Sequence, residues 1–278
     1  DLPPERRQGA APVLKRAKYY TRGRIIMEFM TGKTEKKTVL ISDILSGEYE
    51  GKEVLLNGAV HKIRDMGEVA FVVLRTREGL VQTVYEEGTT TPELKELCEE
   101  AAVTVKGTVA LEERAPQGFE IRAVSFEILS KPVEPMPIAI NKWKMNTSLE
   151  TKLDLRPLSL RNVKERAKFR VQEGIVRGFR DYLHSQGFTE IHSPKIGARG
   201  AEGGANLFRL EYFHKHAVLA QSPQFYKQMM VGVFDRVFEA APVFRAEKHN
   251  TKRHLNEYTS LDFEMGYIDS FEDIMEME

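Results

Sequence analysis

Phe234-Asp-Arg-Val-Phe-Glu-Ala-Ala-Pro-Val-Phe-Arg-Ala-Glu-Lys-His249 and, after a gap of three residues, Arg253-His-Leu-Asn-Glu-Tyr-Thr-Ser-Leu-Asp-Phe-Glu264 decide the fold of the chain's second half. Each carries a β-type run, rich in β-branched and aromatic residues. Together they bracket a loop dense in Arg, Lys and His. A hairpin that converges a guanidinium and imidazoles suits a nucleoside triphosphate. Arg grips phosphate oxygens bidentately, and His or Lys adds charge at the outer phosphates. A charged loop between strands can equally be a solvated hairpin, and composition does not separate the two. In the second run Asp262 and Glu264 alternate with Leu261, Phe263 and Met265, so both carboxylates point to one side of a strand.

Working upstream, short strands are expected at Ala217–Ala220, Arg236–Glu239 and Ser260–Met265. A long amphipathic helix is expected from about Asn162 to Gln186. Val163, Ala167, Val171, Ile175, Phe179, Tyr182 and Leu183 lie on one side of it, and Gly187 stops it. Lys131-Pro-Val-Glu-Pro-Met-Pro137 reads as a linker, because three prolines in seven residues cannot continue a sheet or a helix. Before it, Val54–Val60, Val69–Leu74, Leu80–Tyr85, Val103–Leu111 and Phe119–Ile128 read as strands. Between the third and fourth, Thr91 and Pro92 open an expected helix around Leu94–Ala101, with Leu94, Leu97, Cys98 and Ala101 on one face. Three strands, a helix and two strands is the order of an OB-fold barrel, an architecture that often binds looped or single-stranded nucleic acid. The fold class is therefore an all-β OB-fold barrel followed by an α+β unit.

Composition bounds the function classes. Hydrophobic residues make up 41% and charged residues 29% of 278 residues, the balance of a globular protein of one large or two ordinary domains. Apolar runs are only a few residues long, too short to cross a bilayer, so no membrane partner is expected. One cysteine, Cys98, excludes an internal disulfide framework and fits a reducing cytoplasm; it reads as a small core residue. Net charge is zero, yet residues 1–37 hold ten Lys/Arg against four Asp/Glu. That lead is expected to be a flexible basic extension, one that can brush a polyanion or carry no role. His214-Lys-His216 has a spacing that could ligate a metal, but no further Cys or His stands at a ligand spacing, so no protein metal site is expected.

Residue order adds a family resemblance. Phe244-Arg245-Ala246-Glu247 followed by Arg253-His254-Leu255-Asn256-Glu257-Tyr258 resembles motif 2 of class II aminoacyl-tRNA synthetases, Phe-Arg-x-Glu, a variable loop and Arg-His-x-x-Glu-Phe/Tyr. The resemblance implies that Arg245 grips the α-phosphate of ATP and is the catalytic residue. It implies that Glu247, Arg253 and His254 hold ATP and that Tyr258 stacks on adenine. Gly187-Phe-Thr-Glu-Ile-His-Ser-Pro194 is similar to motif 1, which implies a homodimer with Pro194 at its interface. Ala201-Glu-Gly-Gly-Ala-Asn206 and Gln221-Ser-Pro-Gln-Phe-Tyr-Lys-Gln228 look like the aspartyl enzymes of the archaeal and eukaryotic type within subclass IIb. That likeness implies Glu202 for the substrate ammonium, with Gln224 and Lys227 for aspartate, Lys227 facing its β-carboxylate; Asp262 joins them on the strand's carboxylate side. The implied cofactors are ATP and Mg²⁺, and the implied partners are tRNA, L-aspartate and ATP.

A second resemblance lies in the barrel. Gly58-Ala-Val-His-Lys-Ile-Arg-Asp-Met-Gly67, Phe71-Val-Val-Leu-Arg75 and Gly79-Leu-Val-Gln82 look like the anticodon-binding domain of subclass IIb. This implies that Phe71 stacks on a base, that Gln82 reads a uridine and that Arg64 touches the anticodon. Ala59 departs from the Gly-Trp-Val of many relatives, so charging of tRNA(Asp) alone and of both tRNA(Asp) and tRNA(Asn) stay open. The expected layout is residues 1–37 as the extension, 38–130 as the OB domain, 131–160 as a hinge, and 161–278 as a class II catalytic sheet with flanking helices. That sheet is expected to be incomplete, since no motif 3 follows Glu264, and the chain to be an N-terminal fragment, inactive alone. Rival readings are an asparaginyl enzyme or paralogue, and a non-catalytic tRNA-binding OB module.

Overall fold

A computed structural model describes residues 16–21, 24–30, 38–201, 206–249, 251 and 254–278, the first two stretches by their backbone alone. The chain divides into two units, one ending at Asn141 and one beginning at Lys142. Within residues 1–37, β1 (Arg16–Thr21) and β2 (Arg24–Met30) pair antiparallel.

After a short helix α1 (Ile41–Leu45), five strands close a barrel: β3 (Glu53–Asp65), β4 (Val69–Arg75), β5 (Leu80–Glu86), β6 (Ala102–Leu111) and β7 (Phe119–Ser130). Their order is β3-β4-β5-β7-β6, with β6 returning to pair β3. All neighbours are antiparallel except β5 and β7, which run parallel with Gln82 beside Glu120. Inward residues Leu56, Val72, Leu74, Val81, Val103, Val105 and Ile121 are buried, each worth roughly 1.5–3 kcal/mol of transfer free energy. A Cβ on Gly107 would stand 2.3 Å from the Arg122 carbonyl oxygen, so only glycine lets β6 approach β7 that closely.

The expected helix around Leu94–Ala101 does not form. It is one 3₁₀ turn, Leu94–Glu96, after which Leu97 is already extended. Leu97 and Ala101 are buried and Leu94 and Cys98 pack on the barrel core, so the apolar residues face inward as their pattern requires. Tertiary demands override helical propensity here. Glu100 adopts a left-handed φ of 68°, its N–H donates to the Val60 carbonyl at 2.7 Å, and its carboxylate meets Arg75. The stretch expected as a hinge, 131–160, is divided between the units. Ile140 is buried and Asn141 Nδ2 donates to Glu99 Oε1 in the first, whereas Asn162 Nδ2 donates to the Lys142 carbonyl in the second.

The second unit opens with α2 (Leu149–Asp154) and α3 (Arg156–Ser159), then the long α4 (Val163–Ser185). Asn162 caps α4 by accepting from the N–H groups of Lys164 and Glu165. Hydrogen bonds from Lys152 and then Lys168 hold the Glu165 carboxyl below its usual range. Gly187, at φ 80°, ends the helix, and Phe188 N–H returns to the Leu183 carbonyl at 3.0 Å.

Beyond α4 come β8 (Thr189–Glu190), β9 (Ile196–Gly197), β10 (Arg209–Tyr212), β11 (Lys215–Leu219), α5 (Gln224–Phe234), β12 (Arg236–Phe244), β13 (Glu257–Met265) and α6 (Glu272–Met275). Two three-stranded sheets result, β10-β11-β9 and β13-β12-β8. Phe238 of β12 and Phe263 of β13 pack on Leu183, Phe188 and Phe179. On α4 itself only Leu183 is buried; Phe169, Val171, Ile175 and Tyr182 are exposed.

Candidate functional site

Strand alternation builds the site in the second unit. β12 and β13 pair with Glu239 opposite Asp262, Val243 opposite Tyr258 and Phe238 opposite Phe263. Residues directly opposite share a face. The face carrying Phe238 and Phe263 covers the core, so the other carries Glu239, Tyr258, Ser260, Asp262 and Glu264, with Arg245 just past the end of β12. Onto that carboxylate set α5 lays Gln224 and Lys227, three residues apart on one helical side.

Lys227 is buried, with Nζ 3.1 Å from Asp262 Oδ1 and 3.6 Å from Glu264 Oε2. Gln224 Nε2 donates to Glu264 Oε2 at 3.2 Å, and Ser260 Oγ donates to Asp262 Oδ2. A cation buried this deeply stands only where carboxylates neutralise it. A carboxylate and an ammonium arriving together on one small molecule could exchange with these pairs. Further along the same face the Arg245 guanidinium lies over the Tyr258 ring at 5.8 Å. Arg245 is also held by its backbone, N–H to the Asn256 carbonyl at 3.0 Å, which ties the two ends of the connection between β12 and β13. Glu247 is half-buried beside it, and its N–H reaches the Arg245 carbonyl at 2.7 Å. His254 is exposed, its Nδ1 2.7 Å from Thr251 Oγ1 and its ring 5.5 Å from that of His249. Glu202 and Arg253 lie outside the described residues. Pro194 is exposed between Ser193 and Lys195.

Sequence reading missed the buried end of this face. Glu239 is fully buried and accepts from Ser193 N–H at 2.5 Å, Ser193 Oγ at 2.7 Å and Lys195 Nζ at 2.8 Å. The available signal was a glutamate inside the apolar run Val237–Val243, which calls for a buried partner.

In the barrel, Arg64, Phe71 and Gln82 come together on the outer face. Val72 and Leu74 take the core positions, so Phe71 points outward and is half-buried, with the Arg64 guanidinium over its ring at 5.3 Å. Arg64 Nη2 donates to Gln82 Oε1 at 2.9 Å, and Gln82 Nε2 donates to Glu120 Oε2 at 3.1 Å. Glu120 was not singled out from sequence; the parallel register of β5 and β7 brings it beside Gln82. An aromatic face, a guanidinium, an amide and a carboxylate together can stack a base and read its edge.

No helix of the described residues is long and apolar enough to cross a membrane, and they contain no group of three or more His, Cys, Asp or Glu able to hold a metal ion.

The barrel and the α5–β13 face together define an OB domain joined to a class II synthetase unit. The family model "tRNA synthetases class II (D, K and N)" matches residues 148–278, and "OB-fold nucleic acid binding domain" matches 54–129. The chain belongs to the class II tRNA synthetases. More particularly, it is 49% identical over 240 residues to the aspartate--tRNA(Asp/Asn) ligase of Thermus thermophilus, covering 86% of this chain and 55% of that protein. It is 42% identical to the Methanocaldococcus jannaschii ligase of the same name, over 86% and 56%. Among solved structures, asparaginyl-tRNA synthetase from Pyrococcus horikoshii with asparaginyl-adenylate superposes with a TM-score of 0.74 at 35% identity, over 82% of this chain and 53% of that one. A putative aspartyl-tRNA synthetase from Leishmania major gives 0.75 at 32%, over 89% and 51%. The chain spans about half the length of the curated relatives it matches.

Proposed function

We propose that the protein carrying this chain activates L-aspartate with ATP, forming aspartyl-adenylate, and transfers the aspartyl group to tRNA(Asp), with tRNA(Asn) as a second acceptor. The observation that carries the reading is Lys227, a buried ammonium held between Asp262 and Glu264 with Gln224 alongside. A lysine there prefers a side-chain carboxylate over an amide by charge. The names of the curated relatives support the same choice, while the asparaginyl structures keep the amide substrate as the rival.

The reaction needs little proton chemistry from the protein. The aspartate α-carboxylate attacks the α-phosphorus of ATP, pyrophosphate leaves, and charge builds on the phosphate oxygens. Arg245 is the group assigned to stabilise that charge. Glu247, Arg253 and His254 are assigned to ATP, Tyr258 to adenine, and Glu202 and Asp262 to the substrate ammonium. Mg²⁺ would be carried mainly by the ATP phosphates, Glu264 would be the carboxylate of this face to offer it an oxygen, and the ion would supply charge for the departing pyrophosphate. The uncovered apolar side of α4, with Phe169, Val171, Ile175 and Tyr182 exposed, supports a homodimer through motif 1 and Pro194. The single cysteine of the chain supports a cytoplasmic setting.

The test is ATP–pyrophosphate exchange by the intact protein. Exchange should depend on aspartate, with asparagine roughly 100-fold poorer in kcat/KM, as for a site that must leave a buried charge unpaired. Asparagine serving as well as aspartate would overturn the reading.

The barrel is assigned to the anticodon. Phe71→Ala and Gln82→Ala should each weaken tRNA charging by about 1–3 kcal/mol, the scale of one base–aromatic stack. Tyr258 and Lys227 lie in the other unit, so tRNA-independent exchange should be nearly untouched. If both variants instead lose the barrel's circular dichroism, Phe71 and Gln82 are structural residues and the assignment fails.

A further inference from the structure

We propose that Lys195 sets the charge balance of the amino-acid site: by neutralising Glu239 it keeps Lys227 available to a substrate carboxylate. The proposal rests on the aspartate reading above. Glu239 and Asp262 are in-register partners on β12 and β13. Their Cβ atoms therefore stand roughly 4.5–5.5 Å apart and leave the sheet on the same face. Glu239 is 2% exposed, so water screens it poorly. Two neighbouring anions in such a place repel, and each draws on any cation within reach.

Each carboxylate has its own cation. Lys195 Nζ is 2.8 Å from Glu239 Oε2, and Lys227 Nζ is 3.1 Å from Asp262 Oδ1. Ser193 completes the first pair, giving Glu239 both its backbone N–H and its hydroxyl, while Lys195 Nζ also donates to Ser193 Oγ at 2.9 Å. Ser193 and Lys195 flank Pro194, whose fixed φ delivers both donors from one short segment. The Glu239 carboxylate is thus held by that segment.

The bookkeeping of charge then favours aspartate. Lys195 and Glu239 cancel. Lys227 against Asp262 and Glu264 leaves one negative charge, which an arriving ammonium can satisfy. With the carboxylates so occupied, Lys227 is free to turn to the substrate's own carboxylate. Without Lys195, Glu239 is an uncompensated anion directly opposite Asp262 and draws on Lys227 in competition with that carboxylate. An amide side chain would feel the change much less. Lys195 Nζ contacts Glu239 and Ser193, so it is a positioning residue that acts through Glu239 and Lys227.

The experiment is steady-state exchange by the intact protein. Lys195→Met should raise the aspartate KM by about tenfold or more while the ATP KM stays within about twofold. Lys195→Arg, which keeps the charge, should behave as wild type. Lys195→Met combined with Glu239→Gln removes both members of the pair and should bring the aspartate KM back to within about threefold of wild type. Equal rises in both KM values, or a double variant no better than Lys195→Met, overturn the proposal. If Lys195→Met does not fold, Glu239→Gln carries the test: an aspartate KM within about threefold supports it, and a tenfold rise overturns it. A wild-type protein without aspartate-dependent exchange overturns the functional reading first, and this proposal with it.

Discussion

Lys227→Met is expected to lower aspartate activation by the intact protein by about 2–4 kcal/mol, a roughly 30- to 1,000-fold fall in kcat/KM. The size follows from burial. Lys227 Nζ stands within 3.1 Å of Asp262 and 3.6 Å of Glu264. Its removal leaves two carboxylates on one strand face without their cation, and a substrate carboxylate would be a third. Gln224 can still donate to Glu264, so the strand face keeps one of its ties to α5. Asparagine, whose amide brings no charge, should lose much less, and the Asp/Asn preference should collapse. ATP–pyrophosphate exchange with each amino acid measures both numbers. Equal losses for the two would mean that Lys227 only holds α5 against β13, and the specificity role would fall.

This site was partly legible in the sequence, and the reasons differ by residue. Asp262 and Glu264 share a side because a strand alternates, so their common orientation follows from period alone. Lys227 is three residues from Gln224, which places both on one helical side. What no local pattern contains is the convergence of α5 on β13, or of the Ser193–Lys195 segment on Glu239 across more than forty residues of chain. The barrel shows the same limit. Its five strands stand out from β-branched alternation, and the three outward residues Arg64, Phe71 and Gln82 do meet. The connection from β5 to β6 reads as a helix because its apolar spacing is helical, yet it forms only one 3₁₀ turn. A long-range partner, Arg75, decides that segment's path.

Arg75→Met is expected to destabilise the barrel by about 3–5 kcal/mol, the cost of leaving one member of a buried ion pair behind. The guanidinium meets Glu100 bidentately, at 2.6 and 2.8 Å, with the two side chains only 8% and 2% exposed. Arg75 closes β4 opposite Ala59 of β3, and Ala59 in turn faces Ala102 at the start of β6. The pair therefore straps β4 to the entry of β6 across the middle of β3. The strap also explains the left-handed backbone of Glu100, a conformation that an isolated glutamate disfavours. Methionine can fill the space of the arginine stem but leaves the carboxylate buried and uncompensated. Combining Arg75→Met with Glu100→Gln should recover a substantial part of the loss, because the charge goes with its partner. Urea unfolding, with hydrogen exchange of the β3 and β6 amides as a local reporter, measures the effect in the whole chain. A single-variant loss below about 1 kcal/mol, the range of an exposed pair, would show that the pair is solvated and that the barrel closes without it.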